Sequence, residues 1–555
     1  MKYRSESIAC LGLLSAVLSS LPTPALAQVG DWQEPLPGHI DPLKYKAACP
    51  DYTHYATRPH PPLSDGPLGL PFQRPHKYCR TFESPLVEKV IEDFNEKLLD
   101  KDLARIFENA FPNTLDTTVR WHVDGTEKQK PKHKIKQTWS EDAWKGPQSF
   151  IVTGDINAEW LRDSTNQLAQ YQSLAKQDKA IHNLILGAIN TQAEYVIGSP
   201  YCNAFQPPGP SGLQPTYQGD GDTVHPAYEN SFVFECKYEL DSLAHFLRLS
   251  NEFYNHTGST EFITHRWGKA LNTLIETLSE QSRPTFDPET GALDHNEYSF
   301  QRQTNAGTET LSLGGRGNPL NAGTGLVRSA FRPSDDATIL GFFIPANAMI
   351  SVELKRCAEI LHKSGSKKLA STLQTWGETI AAGVWEHGVV QHKTYGKVFA
   401  FEVDGFGSHI IMDDANLPSL LALPLLGFVS TDNEVYQNTR KMILAKNGNP
   451  YYLKGPAFHG IGGPHIGLQH AWPMSVLTQA MTSDNDDEIA KCLNLVKNVS
   501  KNGLIHESVN VDYGRDYTRS WFAWANSVFA QTILDLAARK PHLLFGEGAK
   551  PYVLG

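Results

Sequence analysis

From residue 85 to residue 538 the chain is a succession of helical periods joined by connections that are alternately short and long, and no other feature limits the possible folds so strongly. Apolar residues at i, i+3, i+4 and i+7, punctuated by breakers, predict twelve helices over 85–110, 160–175, 178–197, 234–250, 261–281, 335–362, 367–386, 414–426, 431–446, 469–483, 486–500 and 519–538. The links from the second to the third, sixth to seventh, eighth to ninth and tenth to eleventh are very short, so each pair reads as an antiparallel hairpin. The links into the even-numbered helices run to about 18–50 residues and are rich in Gly, Pro, Asn and aromatics. This alternation predicts an all-α chain folded as an (α/α)6 barrel. Six inner helices then start at one rim, where the long loops gather, and strand-like pieces such as 397–403 form short β-hairpins among those loops. An open helical solenoid is the competing architecture, but no repeat of 20–50 residues is visible.

Residues 1–27 read as a secretory signal peptide: Lys2 and Arg4, about 11 apolar residues, then Ala25-Leu26-Ala27. That apolar run is too short to span a bilayer, so a secreted, extracellular protein is expected. Residues 28–80, rich in Pro, Gly and His, read as an extended arm packed outside the core, and 81–555 as the barrel domain. Of seven cysteines Cys10 belongs to the signal segment, and six remain for an oxidising compartment. The expected pairs are Cys49 with Cys79, Cys202 with Cys236, and Cys357 with Cys492, with buried thiols the alternative for the last. Asn255 and Asn498 begin N-glycosylation sequons. A formal charge of −10 and the lack of a basic stripe argue against nucleic acid and favour a neutral glycan; no membrane association is expected, and a monomer is.

Polar and aromatic clusters fall where the even-numbered helices begin. Trp160, Arg162 and Asp163 precede the body of the second: Arg and Asp suit vicinal hydroxyls and the indole an apolar sugar face, although the pair also reads as a tie within the helix start. His225, Tyr228, Glu229, Asn230, Glu235 and Lys237 gather at the fourth. At the sixth, Arg332 precedes Ser334, read as an N-cap, with Asp335 and Asp336 in the first helical turn. There the helix dipole favours the carboxylate while apolar surroundings and a like-charged neighbour raise its pKa, a conflict suited to a proton donor. Asp413 and Asp414 either bind hydroxyls or cap the eighth helix. In the Gly-rich run before the tenth, His459, His465 and His470 match no metal spacing; no metal and no cofactor are expected, and His459 and His470 are assigned to sugar binding. Glu507, between apolar Leu504-Ile505 and the run Arg519, Trp521, Trp524, precedes the twelfth. A carboxylic acid at the sixth helix and a carboxylate before the twelfth make the pair that glycosidic cleavage needs. No nucleophile elbow, reactive Cys or phosphate loop is present in the sequence.

With GDINAEWLRDS at 154–164, FRPSDDA at 331–337, HES at 506–508 and YTRSWFAWAN at 517–526, the chain resembles glycoside hydrolase family 125, the exo-acting α-1,6-mannosidases, over roughly residues 81–538. The resemblance implies an α/α barrel, metal-free hydrolysis with inversion, and release of single mannose units from mannan or N-glycan branches. It implies a general acid within Asp335-Asp336 and Glu507 as general base. The run 335–347 is also similar to a fungal glucoamylase segment whose acid is the first of two, which selects Asp335 and leaves Asp336 for the leaving sugar. Arg162 and Asp163 are implied to hold the terminal mannose, with Arg332, Arg519 and Trp521 completing the expected sugar-binding set. Another inverting α/α-barrel glycosidase of glucoamylase or trehalase type, and a non-catalytic glycan-binding protein, are the alternatives.

Overall fold

Two kinds of helix are present, and they differ in how their first turns are satisfied. The computed structural model describes residues 49–125, 142–217, 219 and 221–553; the signal segment 1–27 and the start of the arm lie outside these. The main helices are α1 (Pro85–Lys97), α2 (Lys101–Ala110), α3 (Leu161–Ala169), α4 (Lys179–Gly198), α5 (Leu240–Thr257), α6 (His265–Gln281) and α7 (Ile344–Lys363). They continue as α8 (Lys367–His387), α9 (Leu423–Leu426), α10 (Glu434–Ile443), α11 (Pro473–Met481), α12 (Asp486–Val499) and α13 (Ala523–Arg539).

Helices α1, α4, α6, α10 and α12 open on side-chain caps from Ser84, Asp178, Thr264, Asn433 and Asn485, each accepting a first-turn N–H. Helices α3, α5, α7, α11 and α13 have no such cap. Their leading N–H groups are taken by loops instead: Leu161 N donates to Asn203 O at 3.2 Å, Leu240 N to Ser329 Oγ at 3.0 Å and Ile344 N to Phe401 O at 3.0 Å. The second kind is also the more buried. In α7 every residue from Ile344 to Leu354 is buried, whereas its neighbour α8, although it too lacks a side-chain cap, buries a single stripe of Ala370, Leu373, Gly377, Ile380, Gly383 and Val384. The two helices meet closely at Gly377, where a Cβ would stand 2.8 Å from Ser351 O. Helix α3 packs on α5 and α13, α5 on α7, α7 on α9, and α11 on α13, with α4 against α5, α8 against α7 and α12 against α11. The chain is thus helix-rich with few, short strands.

Those strands sit at the starts of the buried helices. Glu159–Trp160 pairs with Ala204–Phe205, which pairs in turn with Val233–Glu235. Glu402–Val403 lies between Phe342–Phe343 and His409–Ile410. Ser508–Asn510 lies between His470–Ala471 and Tyr517–Thr518. The strand-like piece near residue 397 forms the expected hairpin, Val389–His392 with Gly396–Phe399.

Several predicted helix starts move. The sixth begins at Ile344 rather than 335, because Phe342–Phe343 are committed to a strand and Pro345 fits a first helical turn. The fourth begins at Leu240 and the tenth at Pro473, each again after a strand. The first is broken by Asp100, whose side chain accepts from Asp102 N and Leu103 N at 3.0 Å and so starts α2. The eighth shrinks to α9, since Asp413 accepts from Leu420 N and Leu421 N at 2.8 and 3.0 Å and Pro418 lacks a helical donor.

Cys49–Cys79 and Cys202–Cys236 are disulfides, closing segments of 30 and 34 residues. The third expected pair is not formed: Cys357 on α7 and Cys492 on α12 are buried thiols. The described arm is less peripheral than expected, with Ala56, Leu70 and Gln73 buried and Arg74 held at 2.7 Å from Asp116 and 2.6 Å from Glu88. Among the described residues no helix is long and apolar enough to cross a membrane.

Candidate active site

The acid pair lies on a turn, not on a helix. Phe331 bridges to Ala337, Arg332 N donates to Asp336 O at 2.8 Å, and Asp335 N donates to Arg332 O at 2.9 Å. This places Asp335 at φ 68°, a left-handed conformation that an Asp adopts more readily than most residues. The turn is fixed to the approach to α5, because Ala330 N and Phe331 N both donate to Tyr238 O at 3.0 and 2.9 Å. The neighbouring Lys237 is thereby set beside the acids, its Nζ 3.7 Å from Asp335 Oδ1 and 3.0 Å from Glu235 Oε1. Glu235 also faces Arg302 at 3.4 Å, and Arg302 is held by Asp222 at 2.7 Å.

The two acids differ. Asp335 keeps about a quarter of its side chain exposed, and its Oδ1 has no hydrogen bond among the described residues. Burial pushes this carboxyl up, but Lys237, Arg162, His465 and Arg519 together outweigh it and hold the group below the usual carboxylate range. Asp336 is buried, accepts from Ser334 Oγ at 3.1 Å and lies 3.9 Å from His465 Nδ1. Burial and the Asp414 carboxylate raise it to about 6 against the opposing pull of His465 and Arg332.

Arg162, at the start of α3, spans Glu239 at 2.5 Å, Asp241 at 3.4 Å and Asp163 at 3.5 Å and lies over the Trp524 ring. Burial lifts Asp163 to about 7 although Arg162 opposes it, and its Oδ2 has no hydrogen-bond partner. Arg332 Nε donates to Glu402 Oε1 at 2.6 Å, while Glu402 Oε2 accepts from Ile339 N and Leu340 N at 2.9 Å. The other end of that guanidinium, Nη2, is buried and unpartnered.

Glu507 is buried on the loop before α13 and accepts from Arg519 Nε at 3.2 Å; Arg519 also pairs with Asp155. Arg519, which donates to Glu507, is also among the cations that lower Asp335 and Asp163. His506 stacks on Tyr517 at 3.7 Å, and burial drives it down to about 4. Its neutral ring donates from Nδ1 to Arg519 O at 3.1 Å, which steadies Arg519 in its positive-φ backbone.

Two expected site residues fall elsewhere. His459 lies in a separate cleft with Val476, Glu488 and Cys492, because its strand pairs with Tyr452–Lys454 and turns it toward α12. His470 faces the exposed Asp516 at 3.8 Å, its strand having paired with Asn510. Trp521 is buried against Tyr52 of the arm, and its ring crosses Gly154 so closely that a Cβ there would come within 3.1 Å. Trp160 is buried against Phe234, with its Nε1 unpartnered.

The sequence assigned no site role to Asp155, Glu239, Asp241 or Glu402, and pointed to Lys237 and His465 without giving either one. For Lys237 a signal existed, since it stands at a buried-helix start like the residues that were chosen. Of the acids before the eighth helix, Asp413 is spent on the turn ahead of α9, accepting from Leu420 N and Leu421 N. Asp414 uses Oδ1 for Asn416 at 3.0 Å and leaves Oδ2 unpartnered against Gly463. Among the described residues no group of three or more His, Cys, Asp or Glu is arranged to hold a metal ion.

Known proteins resemble the chain over this same region. The family model for metal-independent α-mannosidase, GH125, matches residues 100–534 and so takes in both acids, Glu507, Arg162, Lys237 and Arg519, while the arm lies outside it. The meiotically up-regulated gene 157 protein of Schizosaccharomyces pombe is 54% identical over 498 residues, covering 90% of this chain and 94% of that protein. A metal-independent α-mannosidase of Streptococcus pneumoniae, solved as a non-productive substrate complex with α-1,6-mannobiose, superposes with a TM-score of 0.71 at 31% identity, over 82% of this chain and 99% of that one. With the match extending over most of its length, the chain belongs to glycoside hydrolase family 125, the metal-independent α-mannosidases.

Proposed function

We propose that the protein is an inverting, exo-acting α-1,6-mannosidase that removes terminal mannose from mannan or N-glycan branches. The observation that carries this reading is Arg519, which donates to Glu507 and is also among the cations that lower the Asp335 carboxyl. Glu507 takes a proton from a water that attacks C1, while Asp335 delivers a proton to the departing O6 of the next mannose, so one bond breaks as one forms and both sugars leave neutral. Asp335 is favoured by geometry: it is the more exposed member of the pair, and its Oδ1 carries no hydrogen bond and faces only the Lys237 ammonium at 3.7 Å. Burial is already the largest influence on its carboxyl, in the upward direction, and drying of the site by a sugar extends that influence. The raised pKa of Asp336, about 6, favours a second reading in which Asp336 donates and Asp335 binds hydroxyls.

The buried ion cluster of Arg162 with Glu239, Asp241 and Asp163, which feels the Asp335 carboxylate, supports exo action as a rigid polar seat for a terminal sugar. The α-1,6 linkage is supported by the mannobiose held by the streptococcal relative. We also propose that the buried helices α3, α5, α7, α9, α11 and α13 close into the inner ring of an (α/α)6 barrel, and that the protein is a secreted monomer, a route consistent with its two disulfides.

Proton NMR of the mannose first released from the methyl glycoside of α-1,6-mannobiose tests the reading: β-mannose is expected, and α-mannose refutes it. Glu507→Gln should cost at least about 10³-fold in kcat with near-normal ligand binding. Retention of most activity would remove Glu507 from the mechanism.

A further inference from the structure

Behind the acid turn lies a small cavity lined by Asn296, Tyr298, Arg316, Arg328, Thr338 and Gly341, among others. Two of its lining residues are cations and none is an anion. Arg328 is 7% exposed, and among the described residues no hydrogen bond or ion pair joins its guanidinium to another group. The nearby Asp294 is engaged by Arg283, whose Nε donates to it at 3.0 Å. Other buried arginines here are matched by carboxylates: Arg74 by Asp116, Arg162 by Glu239, Arg332 by Glu402. A buried charge without a counter-charge is costly, and Arg328 stands out for that reason. Burial pushes it down to about 10, with Tyr238 and Asp294 resisting.

Asn296 spends its Oδ1 on Gln281 Nε2 at 2.8 Å and Tyr298 N at 3.3 Å, which leaves its amide N–H groups for the cavity. The cavity gives about 10 Å³ to the centre of a small particle, room for one water or one monatomic ion but not for a phosphate or a sugar. We propose that it is a binding site for a single halide ion, chloride in ordinary media, held by Arg328 and Asn296 with the exposed Arg316 at its edge. Its neighbours Ser329, Ala330 and Thr338 are the two limbs of the acid turn, joined by Thr338 N to Ala330 O at 2.9 Å and Thr338 Oγ1 to Ser329 O at 2.8 Å. A bound halide therefore steadies the limbs from which Asp335 and Asp336 project.

The experiment is thermal unfolding of the full chain in gluconate, with chloride, bromide or sulfate added at matched ionic strength, beside anomalous diffraction from a bromide-soaked crystal. Chloride and bromide at a hundredfold excess over Kd should raise Tm by about 2 °C, sulfate should not, and a bromide peak should stand beside Arg328. Arg328→Met, which removes the uncompensated cation, should abolish the halide effect, while Arg316→Met should only weaken it. Equal stabilisation by sulfate, a halide effect that survives Arg328→Met, or bromide density absent from this cavity would each overturn the proposal. Should Arg328→Met fail to fold, Asn296→Leu with the bromide map decides the matter by the same criteria.

Discussion

Two flanks meet at the acid turn, and they are built in opposite ways. On the side of Asp335 lie Lys237, Arg162 and Arg519, and the carboxyl is held low despite burial. On the side of Asp336 lies Asp414, whose free oxygen rests against Gly463, and the carboxyl is held high despite His465 and Arg332. Adjacent residues of the same type thus acquire opposite pKa shifts from partners that are remote in sequence. The comparison teaches that burial alone does not fix a carboxyl's role: both are pushed up by desolvation, and the sign of the final shift follows the local balance of cations and anions.

The sharpest way to break this comparison is to neutralise each acid in turn. Asp335→Asn should lose about 10³-fold or more in kcat on α-1,6-mannobiose, and Asp336→Asn about 10-fold to 10²-fold, mostly in KM. Reversal of that order assigns proton donation to Asp336. Next in size is Lys237→Met. Lys237 lowers the Asp335 carboxyl, so its removal raises it, and the alkaline limb of kcat/KM should move up by about one pH unit. An unmoved limb would separate Lys237 from the donor.

Asp414→Asn acts on the other flank. It removes a charge that raises Asp336, so Asp336 falls, and with Asp335 as donor the alkaline limb stays in place while KM rises about 2-fold to 5-fold. A downward shift of the limb would point to Asp336. The smallest effect concerns stability away from both flanks. Burial raises Glu159 to about 8, far above its value in the unfolded chain. A raised carboxyl contributes stability that is complete below the unfolded pKa and is lost as pH climbs through the folded one. Tm should therefore fall between about pH 4.5 and pH 8, and Glu159→Gln should flatten the fall; an unchanged slope contradicts the assignment.

Much of this was legible in the sequence. The alternation of link lengths gave the order and pairing of the helices, because periodicity reports directly which face of a segment is buried. The motifs at residues 154–164, 331–337 and 506–526 gave the acids, Glu507, Arg162 and Arg519 for the same reason: each lies beside the start of a buried helix. The misplaced helix starts share one cause. Short strands such as Phe342–Phe343 and Val233–Glu235 are only two or three residues long, and their partners lie tens of residues away. No local pattern announces them.

What the chain by itself determined was the helical periods, the chemical types gathered at their starts, the family, and the pairing of Cys49 with Cys79 and Cys202 with Cys236. Tertiary structure alone decided which of those groups face one another. It turned His459 toward α12 and His470 toward the surface while bringing His465 to Asp336, and it buried Trp521 under the arm. It also placed Lys237 beside Asp335 through hydrogen bonds from Ala330 and Phe331 to a single carbonyl, that of Tyr238. The physical reason is that burial of a segment is written in its own residues, whereas the charge state of a side chain is set by the field of neighbours delivered by other loops.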